Sequence, residues 1–468
     1  MTEQRDWDVI VVGAGLGGLL AASILARRGR RVVVLERDSQ VGGRLRSYDA
    51  DGYVIDAGAY LWPDLYLERA LIAAGATDFL RSQIAPTEVL RVFVQGTGGR
   101  RFPFPWPGYG QMPALVDAAA STLRADAATA TALAALWERL AALSDDEVAA
   151  LRLVPVGAAL PRFTSDARVA DAFRRNLMLF GAYDPERAPM ADCIGLRRRR
   201  LDGPQPKPEC AGANPVGGVR ALPLTLRAAL AAGGGELRLG WEVERIAIDG
   251  GRAVGVVAHE RGCPFQQQLA AAVVICNVPA WRVFDLVAPH HFPALLVDGA
   301  RACGAVGGAI AAAFAFEGLP RLRETGEPDA FAGWTRLLTG PDASFGGGLL
   351  WATLHSPHNA PPGHHVLQAM RLSSHADIAD AQRVRAVHGA FRAMLDEIYA
   401  DVPASLRREW AWVTRDGSEY MIHCAAKPPV QAPGVTGLFF VGESTDVPAI
   451  QMDAAALSAL QCADLLAP

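Results

Sequence analysis

The chain has 468 residues, 51% of them hydrophobic and 20% charged, which suits a folded protein with room for two domains and excludes a disordered or fibrous one. A formal net charge of −4 gives no general attraction for nucleic acid. Seven cysteines (Cys193, Cys210, Cys263, Cys276, Cys303, Cys424 and Cys462) are scattered without a C-x-x-C pair, so neither a disulfide framework nor a metal site is expected, and a reducing cytoplasm is.

In chain order, the first apolar run reads as a strand over Asp8–Val12, and no secretory leader is expected. Gly13-x-Gly15-x-x-Gly18 follows at once, then a helix over Leu19–Arg28 and a second strand over Arg31–Leu35 ending in Glu36. This order gives the glycines separate tasks. Gly13 makes the tight turn, Gly15 admits a diphosphate to the backbone, and Gly18 lets helix and strand pack closely. The helix N-terminus carries roughly half a positive charge and suits that diphosphate. Glu36 ends the second strand, where a carboxylate accepts from both hydroxyls of a ribose. The segment therefore predicts a dinucleotide site.

Gly42-Gly43-Arg44 comes directly after the ribose acid. With the opening fingerprint, the stretch Asn214–Val256 (NPVGGVRALPLTLRAALAAGGGELRLGWEVERIAIDGGRAVGV) and the stretch Gly437–Leu460 (GLFFVGESTDVPAIQMDAAALSAL), it resembles the FAD-dependent amine oxidase and phytoene desaturase superfamily, nearest the desaturase branch. The resemblance implies an α/β fold: a Rossmann-like FAD-binding domain with an inserted α+β substrate domain built on a mostly antiparallel sheet. It implies non-covalent FAD held by Gly13, Gly15, Gly17, Gly18, Glu36, Arg37, Gly43, Arg44, Gly58 and Ala59. Val243 should contact the adenine, and Gly442 and Glu443 the diphosphate and ribityl chain. Gln451 and Met452 should open a helix whose first turn faces the flavin ring, with Asp453 as its cap. Cys424 is considered as a covalent tether and set aside for want of a supporting motif.

The three flavin segments divide the chain into an FAD-binding part (1–71, 211–286, 421–468) and a substrate part (72–210, 287–420). Within the latter, Val89–Pro105 reads as two strands about a Gly-rich turn. Helices are expected over Gln111–Ala142, Asp166–Phe180 and Asp380–Tyr399. Strands are expected over Gly304–Phe316, Gly347–His355 and His365–Leu372. Ala302–Phe316 is apolar but shorter than the roughly 20 residues a membrane span needs. Arg197–Arg200 open a Pro-rich crossing loop and read as a solvated run, with peripheral membrane contact as the alternative.

No second G-x-G-x-x-G follows a strand, so the substrate itself is expected to reduce the flavin, with oxygen or a quinone as the final acceptor. Amine oxidases of the superfamily flank the flavin with two aromatic rings and place a lysine nearby. Here one cage position falls on Gln451, and the strand AVGGAIAAAFAFEG holds no lysine. Both departures point to dehydrogenation of an apolar or polycyclic, isoprenoid-like or aromatic small molecule. An amine or amino-acid oxidase is the second reading, and a flavin-less escort protein of the same architecture the third. Tyr60, Trp62, Phe104, Trp106, Phe180, Trp351 and Met421 are candidate pocket walls. His355 and His423 are the candidate catalytic bases, with His358 and Glu419 behind them, because a neutral imidazole titrates near working pH.

Overall fold

The computed structural model describes residues 7–57, 65–82, 84–87, 91–94, 101–103, 125–179, 184–195, 212–303, 308–339, 344–415, 426–449 and 451–467. Gly58, Ala59, Tyr60, Trp62, Phe104, Trp106, Phe180, Arg197–Arg200, Glu419, Met421, His423 and Cys424 lie outside the described residues.

Two seven-stranded sheets organise the chain. In the first, Trp7–Val12 sits between Val32–Glu36 and Gln267–Cys276, parallel to both. Glu236–Leu239 extends it beyond Val32–Glu36, and Leu438–Phe440 joins beside Gln267–Cys276, again parallel. An antiparallel meander of Trp241–Asp249 and Arg252–Glu260 leads into Gln267–Cys276. The two N-terminal strands are Val- and Ile-rich because both their faces are covered; Ile10, Val11, Val33 and Val34 are fully buried.

The helix after the glycine turn runs over Leu16–Arg27 and starts earlier than expected, with Gly15 as its N-cap. Gly17 and Gly18 thus lie inside the helix despite glycine's low propensity. Packing decides this. A Cβ on Gly18 would collide with the Gly13 carbonyl, and one on Gly17 would stand 2.9 Å from the Gly442 nitrogen. Leu16–Ala26 is buried all round, so the helix needs no polar face. The C-terminal helix Gln451–Leu465 packs on it, as does Ala221–Ala232.

The second sheet runs in the order Leu406–Thr414, Gly308–Glu317, His364–Ser373, Ser344–Trp351, Trp334–Thr339, Arg91–Val94, Arg101–Pro103. All its pairings are antiparallel except Trp334–Thr339 with Arg91–Val94. The α/β architecture and its separate antiparallel sheet are as the sequence predicts. Gly308–Glu317 is the buried strand expected there, and among the described residues no helix is long and apolar enough to cross a membrane. Leu406–Thr414 was not anticipated. It is an edge strand, half-exposed and carrying Arg407, Arg408 and Glu409, so its apolar pattern is weak.

One expected strand is cut short. The chain leaves the sheet at Trp351 and turns once as a helix over Ala352–His355. Thr353 fixes the bend, its Oγ1 accepting from the Val366 N–H at 3.1 Å. Trp351 is core: its Nε1 donates to Asp329 Oδ2 at 3.2 Å, alongside Tyr399 Oη at 2.7 Å and the Arg91 guanidinium. A helical layer (Ala127–Ala141, Asp145–Ala150, Ala167–Leu179) has its own core of Leu133, Trp137, Phe173 and Met190.

Candidate functional site

Three parallel strands, Trp7–Val12, Val32–Glu36 and Gln267–Cys276, end at one edge of the first sheet. A cleft of about 600 Å³ opens there and runs to the second sheet. Its position outside the carboxyl ends of parallel strands is where α/β folds bind nucleotides.

The glycine turn forms one wall. Gly13 has φ +96°, a conformation that only glycine adopts without strain. The loop carrying Gly42 and Gly43 lies on this turn, the Gly42 N–H donating to the Ala14 carbonyl at 2.8 Å. Arg44 pairs with Glu443 at 2.6 Å and so links that loop to the C-terminal segment. Arg46, which sequence reasoning passed over, donates to the Gly43 carbonyl at 2.5 Å and pairs with Asp38 at 2.7 Å.

Glu36 reaches into the same end of the cleft. Its Oε2 accepts from the Ala14 N–H at 2.7 Å and its Oε1 from the Asp38 N–H at 2.9 Å. Burial raises its pKa, and these two donors only partly offset the effect. A carboxylate has about four acceptor positions, so each oxygen keeps one for a further donor. A ribose diol supplies such a pair of donors.

The C-terminal segment completes the wall. Gly442 has φ +126°, and its N–H donates to Ser458 Oγ at 3.0 Å. Gln451 opens the last helix at φ +55°, and it and Met452 line the cleft. Asp453 lies in the first turn of that helix and is also tied across an interface. Its Oδ1 accepts from the Leu67 N–H at 3.1 Å, in the first turn of the helix Leu65–Ala74. That helix presents unpaired N–H groups which a buried carboxylate can satisfy across the interface. Arg37, Gly17 and Val243 also line the cleft, whereas Gly18 lies behind the turn.

Asn277 is the main residue the sequence did not reveal. It follows the strand Gln267–Cys276, and its backbone N–H donates to the Val12 carbonyl at 2.8 Å. Its side chain lies under the glycine turn, Nδ2 donating to the Val441 carbonyl at 2.9 Å. A polar residue closing an apolar run (VVICNVPA) was the available signal.

The far wall comes from the second sheet: Met370, Leu372, Trp412, Val413 and Thr414, with Ala57 beside them. Trp412 Nε1 and Thr414 Oγ1 both donate to the Ala57 carbonyl, at 3.3 and 2.9 Å. No histidine or lysine is among the described residues lining the cleft. The chain has two lysines, Lys207 and Lys427, and Lys427 pairs with Asp192 at 3.6 Å away from the cleft.

His355 does not line the cleft. It is 6% exposed, and burial pushes its pKa down to about 4, so it is neutral in the native state near pH 7. His358 is exposed on the neighbouring turn. Because the native pKa of His355 lies below the unfolded value, the unfolded chain binds its proton first as pH falls. Its contribution is whole above about pH 6.5 and lost progressively towards pH 4, on the order of 3 kcal/mol. His355→Phe is expected to flatten the acid limb of a urea-denaturation pH profile. An unchanged limb would refute this role.

The residues present fit an FAD. Glycines stand where side chains would fill the cradle, a buried acid offers two free acceptor positions, and the cleft volume lies in the range of cofactor sites. A sequence profile of the family described as flavin containing amine oxidoreductase matches residues 16–467. The carotenoid 3,4-desaturase of Haloarcula japonica is 44% identical over 68 residues, 14% of this chain and 14% of that protein. The inactive all-trans-retinol 13,14-reductase of Danio rerio is 51% identical over 53 residues, 11% of this chain and 9% of that protein. The matched segments thus span well under a fifth of either relative.

Among solved structures, an oxidoreductase from Methanosarcina mazei superposes with a TM-score of 0.67 at 19% identity, covering 97% of this chain and 99% of that one. A redesigned putrescine oxidase gives 0.66 at 18%, covering 98% of both. A Rab GDI from Plasmodium falciparum gives 0.56 at 12%, also covering 98% of both. These likenesses show a shared fold. With the profile spanning nearly the whole chain, the protein belongs to the flavin-containing amine oxidoreductase family, a family of FAD-binding oxidoreductases.

Proposed function

We propose that the protein is a desaturase or dehydrogenase with non-covalent FAD, acting on an apolar or polycyclic metabolite of isoprenoid or carotenoid type. The carrying observation is the far wall of the cleft. It is built mainly from Met370, Leu372, Trp412 and Val413, together with Thr414 and Arg415, with neither lysine nor histidine among the described lining residues. Such a wall orients an apolar body by shape and keeps water out. The name of the carotenoid 3,4-desaturase, one of the relatives matched over a short segment, supports the same class.

FAD supplies the hydride acceptor when bound, and so carries the redox step. The chain's part is to hold and orient. Glu36 takes the ribose, the turn at Gly13–Gly18 and the helix behind it take the diphosphate, and Arg37, Gly43, Arg44 and Val243 lie along the same path. Met452 and its helix present N–H groups and about half a positive charge towards the ring end. In this reading, residues 1–71, 211–286 and 421–468 form the FAD-binding part, and 72–210 and 287–420 the substrate part. His355 is not among the described residues that line the cleft, so this reading gives it no role as base, and oxygen or a quinone takes the electrons onward.

The test is anaerobic mixing of the yellow protein with a panel of isoprenoids, amines and NADPH, followed at the visible flavin band. Bleaching by an isoprenoid, with a desaturated product of matching stoichiometry, is expected. Bleaching by amines alone would make it an amine oxidase, and rapid bleaching by NADPH alone would make it a reductase or monooxygenase.

A further inference from the structure

The glycine turn and the C-terminal segment of the cradle are far apart in the chain, and one side chain touches both. Asn277 Nδ2 holds the Val441 carbonyl at 2.9 Å. Its Oδ1 is buried without a hydrogen-bond partner among the described residues and lies against the glycine turn. Close by, the Ala280 N–H donates to Ser444 Oγ at 2.9 Å and the Val441 N–H to the Cys276 carbonyl at 3.1 Å. Residues 277–280 therefore stitch the C-terminal segment to the first sheet directly beneath the turn.

Gly15 brings out the consequence. Its backbone, at φ −74° and ψ 179°, is open to any residue, so conformation does not require glycine there. A Cβ on Gly15 would stand 2.7 Å from Asn277 Oδ1, and among the described residues the only other atom within 4 Å would be Asn277 Cγ, at 3.8 Å. Gly18 differs, because its Cβ would strike the Gly13 carbonyl, which is backbone. Gly17 likewise meets the Gly442 backbone at 2.9 Å.

We propose that Asn277 is a cofactor-positioning residue: its carboxamide sets the spacing between the glycine turn and the C-terminal segment, and glycine at position 15 answers to Asn277 as well as to the ligand. The steric half of this stands without a cofactor. The affinity half rests on the proposed flavin reading.

The test uses the full chain as Asn277→Ala, Gly15→Ala, Gly18→Ala and the two double variants with Asn277→Ala, measured with and without added FAD. Without FAD, Gly15→Ala is expected to lower Tm by at least about 3 °C, and Gly15→Ala/Asn277→Ala to return to the Tm of Asn277→Ala alone. Gly18→Ala/Asn277→Ala should show no such rescue. With FAD, Asn277→Ala should raise the Kd at least about tenfold by flavin fluorescence quenching. Additive Tm losses for Gly15→Ala and Asn277→Ala would overturn the steric half. An unchanged FAD Kd in Asn277→Ala, with Tm alone lowered, would overturn the positioning role. If the parent chain takes up no FAD, the flavin reading and the affinity half fail together, and the Tm couplings still decide the steric half.

Discussion

Glu36→Ala is expected to strip the flavin from the protein. Two charge-assisted hydrogen bonds to the ribose would be lost, each worth about 1.5–3 kcal/mol. Together they correspond to a Kd raised by about 10²–10⁴-fold. The geometry adds a second loss. Glu36 also holds the Ala14 and Asp38 N–H groups, and Ala14 lies within the turn and is fully buried. The alanine variant therefore loosens the turn as well as removing the ribose partner. Glu36→Gln separates the two effects, since the amide keeps one acceptor and the side chain's shape. It should lose less apoprotein stability than alanine while still binding FAD much more weakly than the parent. Full retention of FAD by both variants through gel filtration would show that the ribose is held elsewhere.

Asp329→Ala is expected to be the most destabilising single change outside the cleft, by about 3–5 kcal/mol. Asp329 is 1% exposed and pairs with Arg91 at 2.5 Å through one oxygen and 2.8 Å through the other. The Tyr399 hydroxyl and the Trp351 indole donate to the same carboxylate. Removing the acid strands a nearly buried guanidinium and two buried donors. Burial alone would raise the carboxyl pKa, but Arg91 and the two donors outweigh it and hold it below the usual value. The stabilisation is therefore full above the ordinary carboxylate range and is lost as pH falls through the lowered native pKa. Urea denaturation at pH 7 measures the effect, and a loss below about 1 kcal/mol would show that the network is not structural. FAD affinity should change little, because none of the four residues lines the cleft.

The contrast between these two sites shows what was legible in the sequence. The turn Gly13–Gly18 and Glu36 lie within one strand–helix–strand unit, so spacing alone defines their geometry. Asp329, Arg91, Trp351 and Tyr399 come from four distant stretches, and their meeting depends on the register of the second sheet. Asn277 is legible only once Gln267–Cys276 is known to lie beside Trp7–Val12. Asp453 sits at a helix start and so reads as a cap. One of its partners, the Leu67 N–H, is 386 residues away in sequence, where no local pattern can indicate it. His355 closes an apolar run through Trp351, and the chain turns out of the sheet there where Thr353 Oγ1 accepts from the Val366 N–H. The strand Leu406–Thr414 carries edge-strand charges, which blur the period of two that reveals a half-buried strand.

The most direct test of the account is the visible spectrum of the purified full chain, recorded before and after acid precipitation. Flavin bands at about one FAD per chain are expected in the native protein, with all of the flavin in the supernatant afterwards. A colourless protein that takes up no added FAD would contradict it.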